Sequence, residues 1–247
     1  MDQRSYHHYW NKGWLVVENV FSAEAAERVG ELALAIAERE YATLEAGYLV
    51  DRSGDGPVSP RKLDNAFPRD SVFRDIVLHP KLRALARDLL GAEAFPVSDQ
   101  IFFKPPRHGS AKPYHQDNFY FRCEPADGVL TSWIALDDVD ASNGCLRYID
   151  GSHRGPRLPH EPVPGEESYN SAPPAELIDL SRESLATVGK GGIVFHHSNA
   201  LHTSHRNESP RWRRAYAINW VTADVTCQTS MLDTAYFKRE EFRELFA

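Results

Sequence analysis

Three cysteines in 247 residues, Cys123, Cys145 and Cys227, are odd in number and far apart, so no disulfide framework is expected, and no CxxC pair is present to hold a metal. That usage suits a reducing cytosol. No run of 18 apolar residues occurs, and the opening stretch Met1 to His8 has no apolar core of a secretory signal. The expectation is therefore a cytoplasmic chain without a membrane partner. Basic charge is also short: 28 Lys+Arg against 35 Asp+Glu leave a net charge of −7, which argues against nucleic acid or an anionic surface as partner. No internal repeat is visible. What remains is ordinary globular material, 42% hydrophobic and 26% charged, long enough for one large β domain or two small ones.

Taken in order, Trp14-Leu15-Val16-Val17 reads as a strand. Ser22 then caps a helix to about Glu40, with Val29, Leu32, Ala33, Ile36 and Ala37 on one apolar stripe and Phe21 as a staple. The segment from Asp51 to Ser59 is rich in Gly, Pro and Asp and reads as a loop. A second helical pattern runs from Pro80 to about Leu90 and stops at Gly91. Beyond residue 95 the character changes to short strands: 97–103, 114–121, 130–136, 145–149, 193–197 and 213–221. Strands at that spacing, parted by Gly, Pro and Asn, predict a sandwich or barrel rather than βαβ units. Gly155 to Pro174 holds six prolines and no periodicity, which predicts a long loop; its expected role is a lid carrying substrate contacts, with a mobile tip at Gly165 to Ser168. The segment from Phe237 to Phe246 has the pattern of a short docking helix.

The chemistry concentrates in Pro113-Tyr114-His115-Gln116-Asp117. If that stretch is a strand, residues i and i+2 share a side, and His115 and Asp117 converge on one point. An imidazole and a carboxylate so placed make half of the two-histidine, one-carboxylate set that suits Fe(II) and leaves positions open. Alone, the pair is a common coincidence. A second stretch adds weight: Gly191 to His197, then His202, with Arg213 eleven residues later.

Together with Asn143-Gly144-Cys145-Leu146, Gly151-Ser152-His153 and His202-x-Ser204, these motifs resemble the phytanoyl-CoA dioxygenase family in order and spacing, over about residues 62–220. The resemblance implies an α+β, β-rich chain: a double-stranded β-helix (jelly-roll, cupin-like) with N-terminal helices packed on one sheet. It implies one domain over 1–247, with a mostly helical part to 95, the β-helix core over 96–225 and a C-terminal segment beyond. It further implies Fe(II) held by His115, Asp117 and His202, 2-oxoglutarate as cosubstrate with its far carboxylate on Arg213, and O2. Ser204, Trp133, Lys62 and Gln100 fall where the family has further cosubstrate contacts. The implied reaction hydroxylates an unactivated C–H bond of a small organic molecule, for example a natural-product intermediate, and releases succinate and CO2.

The residues themselves agree with the arginine. A buried carboxylate needs a charge partner that meets it with two parallel hydrogen bonds, which Arg provides and Lys does not. On a strand, Arg213 shares its face with Ala215, Ala217 and Asn219, which leave room for a five-carbon diacid, whereas Arg214 shares the bulky face of Tyr216, Ile218 and Trp220.

Other readings stand beside these. His196 and His197 are more easily structural, or partners of a ligand, than ligands; His153 sits at a turn, and His205 and Arg206 read as solvated. Trp133 is equally a core aromatic. His160 reads first as a surface loop residue, and Asn118 to Arg122 line a pocket or pack, evenly weighted. The same iron centre supports desaturation, epoxidation or cyclisation, while halogenation is disfavoured because Asp117 is present. A non-enzymatic metal- or small-molecule-binding barrel and a zinc hydrolase are the competitors of another class, and neither needs Arg213. Selectivity is expected in loops at about 40–60, 104–113 and 155–176. Oligomeric state is not encoded in any pattern here.

Overall fold

The computed structural model describes residues 1–44, 47–51, 58–165 and 170–246. Two antiparallel sheets carry the molecule. The larger has six strands in the order Trp14–Val17, Ile193–His197, Val129–Ala135, Arg213–Val221, Phe95–Lys104 and Lys62–Asp64. The smaller has four, in the order Glu183–Ala186, Leu146–Ile149, His202–Ser204 and Lys112–His115. The fold is a double-stranded β-helix with helices on one face of its large sheet. Strands from residues 14 and 62 complete that sheet, so the N-terminal part is built into the β structure rather than set apart from it.

Period-two alternation decides what each face meets. Along Arg213–Val221, Tyr216, Ile218 and Trp220 turn outward with Ile101, Phe103, Ile134 and Phe195. They pack against Val29, Ala33, Ile36 and Ala37 of the Ala23–Tyr41 helix, Phe73 and Ile76 of the Ser71–Val77 helix, and Leu82, Ala86 and Leu89 of the Pro80–Leu90 helix. The opposite face carries Ala215, Ala217, Trp133 and Val194 toward Leu146 and Tyr148 of the small sheet. The space between the sheets is the interior of the barrel.

Local signals hold at the expected helix ends. The Ser22 hydroxyl accepts from the Ala25 N–H, and Gly91 stops the Pro80–Leu90 helix in the left-handed conformation (φ 70°); such a cap contributes about 1 kcal/mol. Gly144 also has φ 86°, and a Cβ there would lie 2.5 Å from the His205 carbonyl oxygen, so the turn before Leu146–Ile149 requires glycine.

Four expectations need correction or addition. The stretch 114–121 is not one strand: it ends at His115, Gln116 is extended, and Asp117–Phe121 forms a helix closed by Arg122 at φ 53°. Tertiary hydrogen bonds override the strand propensity of its aromatics. The Asn118 N–H donates to the Ser198 carbonyl, and the Asn118 side chain brackets both the N–H and the C=O of Cys123.

Cys123 and Cys227 form a disulfide spanning 104 residues, because Cys123–Glu124 and Thr226–Cys227 pair antiparallel with the two cysteines opposite. The cysteine argument for a reducing compartment falls with it. The C-terminal segment docks on the core as expected, but as 3-10 turns over Tyr236–Lys238 and Glu240–Phe246, with Tyr236 stacked on Phe67 at 4.6 Å. An unforeseen helix, Gln3–Lys12, precedes the first strand, capped by Asp2 and ended by Gly13. Among the described residues no helix is long and apolar enough to cross a membrane.

Candidate metal centre

The small sheet pairs His202 directly opposite His115, with ring centroids 4.2 Å apart. Backbone carbonyls fix both tautomers. His115 Nδ1 donates to the Pro113 oxygen and His202 Nδ1 to the Ala200 oxygen, each at 2.9 Å. A carbonyl only accepts, so both Nδ1 atoms carry the proton and both Nε2 atoms present lone pairs.

Asp117, on the first turn of its helix, places Oδ1 at 3.6 Å from His115 Nε2 and 3.8 Å from His202 Nε2. The three donor atoms all lie within 4.8 Å of one another, and no proton stands between them. Burial pushes both histidines down, His202 to about 4 and His115 well below its ordinary value, so both are neutral at pH 7. Burial would raise the Asp117 carboxyl, but the hydrogen bond from His196 and the surrounding imidazoles hold it below the ordinary carboxylate range. Two neutral imidazoles and a carboxylate, with lone pairs aimed at one point, fit a divalent cation. This arrangement differs from the expected one in how Asp117 arrives: from a helix start, not from the same face of a strand.

The three face a cavity of about 360 Å³ between the sheets. Across it stands Arg213, 2% exposed, its Nε without a hydrogen-bond partner and its Cζ 5.4 Å from the Trp133 ring. Among the described residues no carboxylate comes within ion-pair distance of it. Burial pushes its pKa down to about 9, as expected of a guanidinium that lacks an anion. Trp133, Ala217 and Gln100 form one cross-strand row of the large sheet, and Asn219 lies in the next. These residues floor the cavity beside Arg213, together with Phe102.

Ser204 lies on the wall, where its hydroxyl accepts from Lys104 Nζ at 2.9 Å. Lys104 is the cross-strand partner of Arg213, and burial and that neighbour push its pKa well below the ordinary lysine value. Nothing in the sequence marked Lys104. Lys62 lines the cavity from the edge strand. Its Nζ lies 2.9 Å from Asp64 Oδ1 and 3.4 Å from Gln100 Oε1, and burial lowers its pKa to about 8. Arg214 crosses to the helical face as expected, pairing with Asp137 at 2.7 Å and Glu27 at 2.8 Å.

The other histidines separate clearly. His196 Nε2 lies 3.0 Å from Asp117 Oδ2, outside the converging trio but bonded to its carboxylate. His197 is turned away: its Nδ1 accepts from the Asn199 N–H and its Nε2 donates to Asp127. His153 packs near it and donates to the Trp10 carbonyl. His160 is no solvated loop residue. It accepts from the Gln116 N–H at 3.0 Å and stacks on Phe119 at 4.3 Å, while the Leu158 N–H donates to Gln116 Oε1 at 2.7 Å. The first arm of the proline-rich loop is thus bonded to the residue between His115 and Asp117. The loop also forms a small hairpin, Glu161–Pro162 with Ser171–Ala172. The expected tip at Glu166 to Ser168 and most of the Asp51 to Ser59 loop lie outside the described residues.

The chain matches the family profile of phytanoyl-CoA dioxygenase (PhyH) over residues 9–215. It belongs to the phytanoyl-CoA dioxygenase family. Among curated family members, a phytanoyl-CoA dioxygenase domain-containing protein 1 of Mus musculus is 34% identical over 187 residues, covering 71% of this chain. The peroxisomal phytanoyl-CoA dioxygenase of Bos taurus is 27% identical over 239 residues, covering 92% of this chain and 69% of its own length. The chain spans 63% of the length of the domain-containing relative.

Solved structures share the fold. The α-ketoglutarate-dependent carbocyclase SnoK of nogalamycin biosynthesis superposes with a TM-score of 0.74 at 24% identity, over 92% of this chain and 86% of that one. EvdO2 of Micromonospora carbonacea var. aurantiaca, complexed with 2-oxoglutarate, gives 0.70 at 21% identity, over 90% and 91%.

Proposed function

We propose that this phytanoyl-CoA dioxygenase family member is an Fe(II)- and 2-oxoglutarate-dependent dioxygenase acting on a small organic molecule. The observation that carries the reading is the pairing of two features across one cavity. Three lone pairs, from His115, Asp117 and His202, converge without a proton between them, and a buried Arg213 guanidinium facing them has its Nε unpartnered. A zinc hydrolase or a storage barrel accounts for the first feature and has no use for the second.

The residues divide the work by type. His115, Asp117 and His202 hold the iron, and Arg213 receives the distal carboxylate of 2-oxoglutarate through charge-assisted hydrogen bonds in a site sheltered from water. Trp133 and Ala217 shape the wall beside that carboxylate, Ser204 and Lys104 fix its rim, and Lys62 and Gln100 lie further along the same cavity. When bound, iron with 2-oxoglutarate and O2 supplies the oxidising power, and succinate and CO2 are released; the chain provides geometry and exclusion of water. Tyr120, Phe121 and Phe102 give the remaining wall an aromatic character suited to the apolar body of a substrate.

Hydroxylation of an unactivated C–H bond is the reaction we favour. The fold also carries a carbocyclase and an epimerase of nogalamycin biosynthesis, which supports a natural-product type of substrate and keeps ring closure or desaturation as the second reading. The test is O2-dependent succinate release across a panel of small aromatic and alicyclic compounds, followed by product mass. A gain of one oxygen on a saturated carbon marks hydroxylation, the same gain with loss of an alkene marks epoxidation, and a loss of two hydrogens marks cyclisation or desaturation. Failure of the iron-loaded protein to turn over 2-oxoglutarate under any of these conditions would overturn the assignment.

A further inference from the structure

Asp117 is gripped from both sheets. Its Oδ1 faces the two histidines of the small sheet, while its Oδ2 is bonded to the large sheet, by His196 Nε2 at 3.0 Å and the Thr131 hydroxyl at 2.8 Å. His196 and Thr131 are cross-strand partners, so the large sheet presents them side by side. The second ring nitrogen of His196 is also spoken for: Nδ1 lies 2.8 Å from the Tyr148 hydroxyl. Tyr148 belongs to the small sheet, directly opposite His202, is fully buried, and is stacked on Trp14 at 5.2 Å with the rings 9° apart.

The acceptor at Asp117 sets the direction of these hydrogen bonds. A carboxylate oxygen only accepts, so His196 must carry its proton on Nε2 to avoid facing Asp117 with a lone pair. With the Nε2 proton turned to Asp117, Nδ1 is left facing the Tyr148 hydroxyl, which is the group placed to donate to it. Tyr148 therefore selects the tautomer of His196, and His196 engages Oδ2 beside the Thr131 hydroxyl, whose single proton is shared between Oδ2 and Asn219 Oδ1 at 2.9 Å, leaving Oδ1 for the metal side.

We propose that His196 and Tyr148 are positioning residues: a relay across the two sheets that turns the Asp117 carboxylate so that Oδ1, and not Oδ2, faces the metal. The inference rests on the metal reading of His115, Asp117 and His202. Loss of partners of this kind ordinarily weakens metal affinity by about 10–100-fold. It also distinguishes His196 from a fourth ligand, because a ligand needs a lone pair on the nitrogen that here carries a proton.

Anaerobic Co(II) titration, followed by calorimetry and by the visible ligand-field bands, tests this without turnover. His196→Leu is expected to weaken Co(II) binding by about 10-fold or more and to alter the bands. His196→Gln keeps an N–H donor near Nε2 and is expected to return affinity to within about threefold of the parent. Tyr148→Phe, the least disruptive change, is expected to give an intermediate loss, and it decides the matter if the Leu variant does not fold. Parent-like affinity and spectrum in a folded His196→Leu or Tyr148→Phe protein would overturn the relay. So would a Gln variant as weak as the Leu variant, which would make His196 a ligand. Absence of Co(II) binding in the parent would instead defeat the metal reading itself.

Discussion

Arg213 turns its guanidinium into the cavity beside Trp133, whereas Arg214 crosses to the helical layer and meets Asp137 and Glu27. The alternation Arg213-Ala215-Ala217-Asn219 against Tyr216-Ile218-Trp220 was visible in sequence, because small and bulky side chains mark the two faces of a strand directly. The two arginines should therefore respond differently to the same change. Arg213→Lys is expected to raise the dissociation constant for 2-oxoglutarate by about tenfold or more, the loss of a charge-assisted bond of roughly 1.5–3 kcal/mol, with little change in thermal stability. Arg214→Lys is expected to spare that affinity and lower the melting temperature by a few degrees, as loss of about 1 kcal/mol would in a protein of this size. Binding and melting measurements on both variants check this, and a reversed ranking would contradict it. Lys104 was illegible at this scale, since its role comes from standing opposite Arg213 across a strand pair that no local pattern announces.

The helices at 23–41 and 80–90 and the strands at 14–17, 193–197 and 213–221 were legible because caps, glycine stops and periodicity agree locally. Asp117–Phe121 was not. Its aromatic run favours a strand, and what makes it a helix is Asn118 bonding to Ser198 and Cys123, partners remote or invisible in the local pattern. The N-terminal helix did leave a signal, Asp2 as cap and Gly13 as stop around Tyr9 and Trp10, that a search for apolar runs alone passes over. The proline-rich loop is fastened by His160 and Leu158 to Gln116, between two residues of the converging trio. His160→Ala removes both the acceptor and the stack on Phe119, so limited proteolysis is expected to cut the 155–174 segment several-fold faster than in the parent. Unchanged cleavage would show that the arm is held by other contacts.

For the molecule as a whole, a charge of −7 gives no hint of the cavity, where the described lining residues gather Arg61, Lys62, Lys104, Lys112 and Arg213 around one carboxylate among them, Asp117. Net charge averages over the surface, while the site depends on what the two sheets enclose. The disulfide was equally hidden, since 104 residues separate its cysteines and only the pairing of two short strands brings them together. The buried histidines also tie stability to pH. His202 has its pKa lowered from 6.5 to about 4 by burial, so the unfolded chain takes up that proton first as pH falls. The metal-free protein is expected to be most stable above about pH 6.5 and to lose stability progressively toward pH 4. Melting curves of the apoprotein across that range check the sign; stability rising on acidification would contradict the burial of neutral imidazoles.

His115, Asp117, His202 and Arg213 are proposed to form one site for a metal and a dicarboxylate. The most direct measurement is an anaerobic titration of 2-oxoglutarate into the Fe(II)-loaded protein, watching for the weak visible charge-transfer band of the chelated cosubstrate, repeated with Asp117→Ala and Arg213→Lys. A saturable band is expected in the parent, no band in a folded Asp117→Ala protein, and in Arg213→Lys a band that saturates only at about tenfold or more higher 2-oxoglutarate. No band in the parent, or an undiminished band in Asp117→Ala, would contradict the shared site.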